Sequence, residues 1–154
     1  RVIALDSSGP MLDAARQRLN EQGNIEFVQG DLEALPLDDA GVDAAICILV
    51  LHHLDDPLPA LREMRRIIKP GGIALIIDMY PHTHDEYRET MGHAHLGFSE
   101  DRVREMYAEA GFKRLSVSPL PADPRAQGPG LFVAIGAADD EPGAEQDAQP
   151  GAET

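Results

Sequence analysis

RVIALDSSGPMLDAAR, residues 1–16, decides the architecture. Residues 2–5 form a short apolar run that ends in Asp6. Ser8 then stands where a helix takes its cap, and Leu12, Ala15 and Leu19 share one helical face behind it. The segment reads as a strand passing directly into a helix. Working outward, the same alternation recurs. Residues 25–28 are a second apolar run, closed by Gly30 and Asp31, and residues 42–51 are the longest apolar run of the chain. Both read as buried strands. Pro57 and Pro59 sit where the first turn of a helix accepts proline, with Leu61, Met64 and Ile68 behind them. That helix stops at Lys69-Pro70-Gly71-Gly72, and residues 73–79 form another strand. Ser99, with Glu100 and Asp101, opens a helix that places Val103, Met106, Tyr107 and Ala110 on one face and ends at Gly111. Strands near residues 115–117 and 131–135 close the domain.

Strands alternating with helices of this length imply an α/β fold with a doubly wound, mostly parallel, Rossmann-like sheet and an antiparallel strand at its C-terminal edge. Residues 1–137 make one domain. Residues 138–154 hold acids, no base and no large apolar side chain, so they cannot bury enough surface to offset their ordering entropy. They are expected to be a disordered acidic tail.

Composition narrows the function. The chain of 154 residues is 43% hydrophobic and carries 27 acidic against 13 basic residues, a formal charge of −14. Such a charge repels polyphosphate and anionic lipid head groups, so no nucleic-acid contact and no membrane partner are expected from this segment. Cys47 is the single cysteine, which excludes a disulfide framework and any cluster of thiols for a soft metal. A cytoplasmic location follows as the expectation. No apolar run approaches the roughly 20 residues of a membrane helix.

In an open α/β sheet, ligands bind outside the carboxyl ends of the strands. Those ends are Asp6, Gly30-Asp31, Leu51-His52-His53 and Tyr80-Pro81-His82. Their order and spacing resemble the class I S-adenosylmethionine-dependent methyltransferases, in the type 11 subgroup similar to ubiquinone-type and other small-molecule enzymes. RVIALDSSGPMLDAAR, Gly30-Asp31, VDAAICILVLHHLDDP (residues 42–57) and IIKPGG (residues 67–72) carry the resemblance, which runs from Arg1 to about Ile135. It implies that Asp6 takes the ribose hydroxyls of S-adenosyl-L-methionine and that Asp31 receives the adenine amine, with the Leu32 backbone nearby. Ser7, Met11 and Ile48 complete the implied cofactor wall, Met11 as a cover over adenine. The chemistry agrees, because one carboxylate can accept two hydroxyls in a fork while another accepts from an exocyclic amine. Asp6 also admits the plainer reading of a strand-end cap, Asp31 that of a solvated loop acid, and Met11 that of a core residue.

The stretch DMYPHTHDEYRETMGHAHLGFS (residues 78–99), followed by a helix and PLPADPRAQGPGLFVA (residues 119–134), is similar to methyltransferase domains fused behind winged-helix repressors of the ArsR family. This resemblance implies an upstream DNA-binding domain. Class I members also carry a glycine-rich loop after their first strand, whereas the first strand read here matches their second. The first strand and that loop are thus expected upstream of Arg1. Without its central strand, the sheet must show a gap or a false pairing between the strands ending at Asp6 and near Leu51.

The histidines are the remaining feature. The pairs His82/His84 and His93/His95 suggest a zinc site, but residues two apart converge poorly on a helix and no cysteine supports them, so no metal is expected. The segment reads better as a lid over the methyl acceptor, with His53, Tyr80 and His95 lining the substrate side. His93 is the first candidate for general base and Tyr87 the second, since imidazole titrates near about 6.5 and a tyrosine must first be acidified. The reaction expected is methyl transfer to a small-molecule acceptor by in-line displacement, which side chains assist by alignment and exclusion of water. Arsenite as acceptor would call for several thiolates. A sensor of S-adenosylmethionine or its demethylated product without turnover is the alternative, and a nicotinamide dehydrogenase would show a different pattern after the fifth strand.

Overall fold

A computed structural model of the chain describes residues 1–19, 23–122, 125 and 128–138. The N-terminal strand–helix–strand forms as its apolar spacing requires. β1 (Val2–Asp6) pairs in parallel with β2 (Ile25–Gln29), and α1 (Gly9–Leu19) crosses between them. Ser8 starts that helix, its hydroxyl accepting from Met11 N–H at 3.4 Å and its carbonyl from Leu12 N–H.

The rest of the chain builds a four-stranded sheet in the order β3-β4-β6-β5, from β3 (Val42–Ile48), β4 (Ile68–Met79), β5 (Lys113–Pro119) and β6 (Leu131–Ala137). β3 and β4 are parallel, joined through α2 (Leu58–Ile67). The antiparallel strand is β6, inserted between β4 and β5. The Lys69-Pro70-Gly71-Gly72 turn is a bulge within β4. Val42 pairs with Ile68 and Ala44 with Ile73, so the turn is looped out while pairing continues on both sides. A Cβ at Gly72 would lie 2.5 Å from the Asp43 carbonyl oxygen, which is why glycine stands there.

The core lies between this sheet and its helices. Ala60, Leu61, Met64 and Ile67 of α2, with Val103, Met106 and Tyr107 of α4 (Glu100–Glu109), close over Ala74, Ile76, Phe132 and Ala134 of the sheet. A fully buried aliphatic side chain such as Leu61 contributes about 1.5–3 kcal/mol. Ser99 caps α4 by accepting from Arg102 N–H, and Gly111 follows it at φ 89°.

β1 does not pair with β3. The sheet is divided at that point, and Val2, Ile46 and Ile48 are exposed along the two unpaired edges. Leu5, Leu32 and Leu37 pack against the main core and tie the smaller sheet to it. Ala138, where the acidic tail was expected to begin, is buried and hydrogen-bonded through its N–H and carbonyl to Gly72 and Gly71. Residues 139–154 lie outside the described residues. No helix among the described residues is long and apolar enough to cross a membrane.

Candidate functional site

The parallel pairing of β1 and β2 sets Asp6 opposite Gln29, and Gly30 N–H donates to the Asp6 carbonyl, so both strand ends arrive together. Asp6 is half-buried. Its Oδ1 accepts from Ser8 N–H at 2.7 Å, which fixes the carboxylate in orientation, while Oδ2 has no partner among the described residues. Asp31 is exposed and is oriented in the same way, its Oδ1 accepting from Glu33 N–H at 2.9 Å. Ser7 is exposed, its carbonyl accepting from the Gln29 side chain. Met11 projects from the first turns of α1 at 61% exposure, uncovered by any core contact. Leu32 is half-buried against the core. Ile48 ends β3, and Leu49 after it takes a left-handed φ of 55°, strained for a leucine and held by its N–H to the Ile77 carbonyl. The Asp6 carboxylate caps the start of the segment that follows it and keeps one oxygen open among the described residues. These acceptor-only groups fit ribose hydroxyls and an adenine amine.

The second half of the site is built from histidines. β3 runs into a single 3-10 turn, Leu51–His53, and the segment after β4 folds back over it as a strap that includes the short helix α3 (Glu86–Thr90). The N–H groups of Ala94 and His95 both donate to the His52 carbonyl, at 2.9 and 3.0 Å, and Phe98 N–H donates to the Met79 carbonyl. Gly97 makes the return possible. It has φ 83°, and a Cβ there would stand 2.2 Å from the Tyr80 carbonyl oxygen.

This strap carries His93 onto His52 and His53. The rings of His53 and His93 both lie 4.2 Å from that of His52, centroid to centroid, and 5.1 Å from each other. Tyr87 sits edge-on to His93 at 5.3 Å, and His82 lies 5.5 Å from Tyr87. His52 and His93 are buried and His53 is exposed. Burial, and then the neighbouring His52 and His53 imidazoles, hold His93 below the ordinary histidine value. Burial, and then His84, do the same for His82. Two buried ring nitrogens, His93 Nδ1 and His82 Nε2, have no hydrogen-bond partner among the described residues.

The structure thus brings together His53, His93 and Tyr87 but not Tyr80 or His95. The Tyr80 hydroxyl donates to Glu100 at 3.2 Å and its ring lies against Phe132. His95 packs on Phe98 and places Nε2 3.1 Å from the Asp55 carbonyl. His84 stacks on Tyr87 at 4.9 Å and pairs with exposed Glu86.

Sequence reasoning missed Asp78. This carboxylate is wholly buried in β4 and accepts from His52 Nδ1 at 2.7 Å, from Met79 N–H at 2.7 Å and from His52 N–H at 3.4 Å. A signal was present, because an acid inside the apolar run of residues 73–79 has to find a buried partner. The nearby Cys47 is buried. Burial, and then the Asp78 charge, push its thiol up to about 12, so it stays protonated.

A methyltransferase-domain family profile matches residues 1–76. A ubiquinone/menaquinone biosynthesis C-methyltransferase, UbiE, of Hahella chejuensis is 38% identical over 81 residues, which cover 51% of this chain and 32% of that protein. The matches span between 21% and 32% of the length of the first curated relatives. Among solved structures, a methyltransferase in complex with the Haloferax volcanii Trm112 methyltransferase activator superposes with a TM-score of 0.79 at 24% identity, covering 90% of this chain and 72% of that one. A SAM-dependent methyltransferase of Thermotoga maritima superposes with a TM-score of 0.71 at 25% identity, covering 88% and 72%.

Proposed function

Because the chain belongs to the class I S-adenosylmethionine-dependent methyltransferases, we propose that it transfers a methyl group to a small-molecule acceptor met at the histidine wall. The observation that carries this reading is the spatial order of the site. Two oriented carboxylates, Asp6 and Asp31, stand at the ends of β1 and β2, and buried imidazoles with unpartnered nitrogens gather beyond the end of β3. The first set suits a nucleoside, and the second suits a polar acceptor that must lose a proton.

When bound, S-adenosylmethionine would supply an electrophilic methyl group on its sulfonium, open to in-line attack by an acceptor lone pair with the sulfur leaving as a neutral thioether. Asp6 would accept hydrogen bonds from the ribose hydroxyls, and Asp31 one from the adenine amine. Ser7 and Leu32 follow the ends of β1 and β2, Ile48 ends β3, and Met11 would cover the adenine with a polarizable side chain. The strap excludes water from the acceptor side, since its backbone is clamped to His52 and Met79. His93 takes the proton of the acceptor on a ring nitrogen, with Tyr87 set against its edge to position it. His53 of the turn, through the Gly92 carbonyl, and His95 of the strap, through the Asp55 carbonyl, tie the two segments together and hold their shape.

The test is methyl transfer from S-adenosylmethionine carrying a tritiated methyl group to a panel of phenols, quinols and amines. His93→Gln is expected to lower turnover by about 100-fold or more while leaving affinity for S-adenosylhomocysteine unchanged. Equal turnover in the variant would remove His93 from the reaction.

A further inference from the structure

His52, His53 and His93 each present a ring nitrogen, and the three atoms lie within 4.8 Å of one another. The hydrogen bonds around two of the rings place a hydrogen on Nδ1 of each. Asp78 is buried and accepts at His52 Nδ1, so a hydrogen sits on Nδ1, and in the neutral ring Nε2 bears a lone pair. The Gly92 carbonyl can only accept at His53 Nδ1, 3.1 Å away, which leaves Nε2 of His53 in the same condition. His93 is 4% exposed, and its Nδ1 has no partner. Three ring nitrogens gathered within 4.8 Å, with a buried nitrogen of one ring unpartnered among the described residues, suit a hydrogen-bond donor or an electron-pair acceptor between them.

We propose that His52, His53 and His93 bind one first-row divalent cation, with zinc the fitting case, and that Asp78 and the Gly92 carbonyl orient two of the ligands from behind. Imidazole is a good ligand for a borderline cation, and a metal-bound histidine regularly gives its other N–H to a carboxylate or a backbone carbonyl, as His52 and His53 do. Tetrahedral coordination at about 2.0–2.1 Å sets ligand nitrogens about 3.4 Å apart, so the rings must close by on the order of 1 Å. Three protein ligands leave a fourth position for an outside molecule.

The ligands are not the HxH pairs that the sequence offers. His84 pairs with Glu86 and His95 faces the Asp55 carbonyl, so each pair contributes at most one ring and the partner rings come from the turn after β3. A cation at this point would take over the work given to His93, by acidifying a hydroxyl that coordinates it. That role rests on the acceptor lying at the histidine wall, whereas binding of the cation does not.

The experiment therefore reads binding and not turnover. Protein freed of metal by a chelator is titrated with cobalt(II) and then with zinc. Visible ligand-field absorption is expected to grow to saturation at one equivalent and to vanish as zinc displaces cobalt. His53→Gln, a change at an exposed side chain, is expected to weaken cobalt binding by at least about 10-fold, and Asp78→Asn by about 10- to 100-fold. His84→Gln is expected to leave it unchanged. Absence of saturable absorption from protein that circular dichroism shows to be folded would overturn the proposal, as would full binding by His53→Gln.

Discussion

The ends of β1 and β2 hold their polar groups in or near water, whereas the turn after β3, the end of β4 and the strap bury His52, Asp78 and His93. Asp6 and Asp31 each use one oxygen on a neighbouring N–H and leave the other open, an arrangement that costs the fold little. His52, His93 and Asp78 have been withdrawn from solvent, and a buried polar group is tolerated only where another group satisfies it. The contrast separates two kinds of residue. A change on the cofactor side is expected to alter what is bound and spare the fold, while a change on the acceptor side is expected to alter both.

Asp78→Ala should break this pattern most forcefully. It leaves the His52 Nδ1–H and two backbone N–H groups without their acceptor in the core, and loss of one partner of such a buried pair costs about 3–5 kcal/mol. Urea unfolding would show the midpoint moving sharply down with little change in slope. A stability equal to that of the unaltered protein would mean that the histidine wall is not held by Asp78. Asp31→Asn lies at the other extreme. It keeps an acceptor for Glu33 N–H but offers the adenine amine a donor on its other arm, so S-adenosylhomocysteine affinity is expected to fall by about 0.5–1.5 kcal/mol with stability unchanged. Calorimetry would measure it, and an unaltered affinity would return Asp31 to a solvated loop.

The two regions also differ in how far the sequence discloses them. The cofactor edge is local in the chain. Ser8 caps the helix that follows Asp6, β1 and β2 are neighbours through one crossover, and the terminal carboxylates can be found by reading strand ends in order. Helix starts at Pro57 and Ser99 and the stop at Gly111 are equally local, because each depends on one residue's backbone or side-chain chemistry. The histidine wall depends on pairing between distant segments. Residues 52–53 and 93 meet only because the strap doubles back at Gly97 and clips its N–H groups to the His52 carbonyl. Spacing in the chain favoured His82/His84 and His93/His95, and the rings that converge are drawn from different elements. The bulge in β4 has the same cause. Lys69-Pro70-Gly71-Gly72 reads as a turn, and its place inside a strand appears only once Val42 pairs with Ile68. Tyr80 and His95 are near the wall in sequence but are turned to Glu100 and Asp55 by contacts that spacing does not encode.

The central claim is that β1 ends in a carboxylate that holds the ribose of S-adenosylmethionine. Calorimetric titration of S-adenosylhomocysteine into the protein and into its Asp6→Ala variant tests it most directly. Losing hydrogen bonds to a charged acceptor is expected to weaken binding by about 1.5–3 kcal/mol, roughly 10- to 150-fold, while the protein stays folded with a urea midpoint lowered only by loss of the Ser8 N–H cap. Equal affinity in the two proteins would contradict the account.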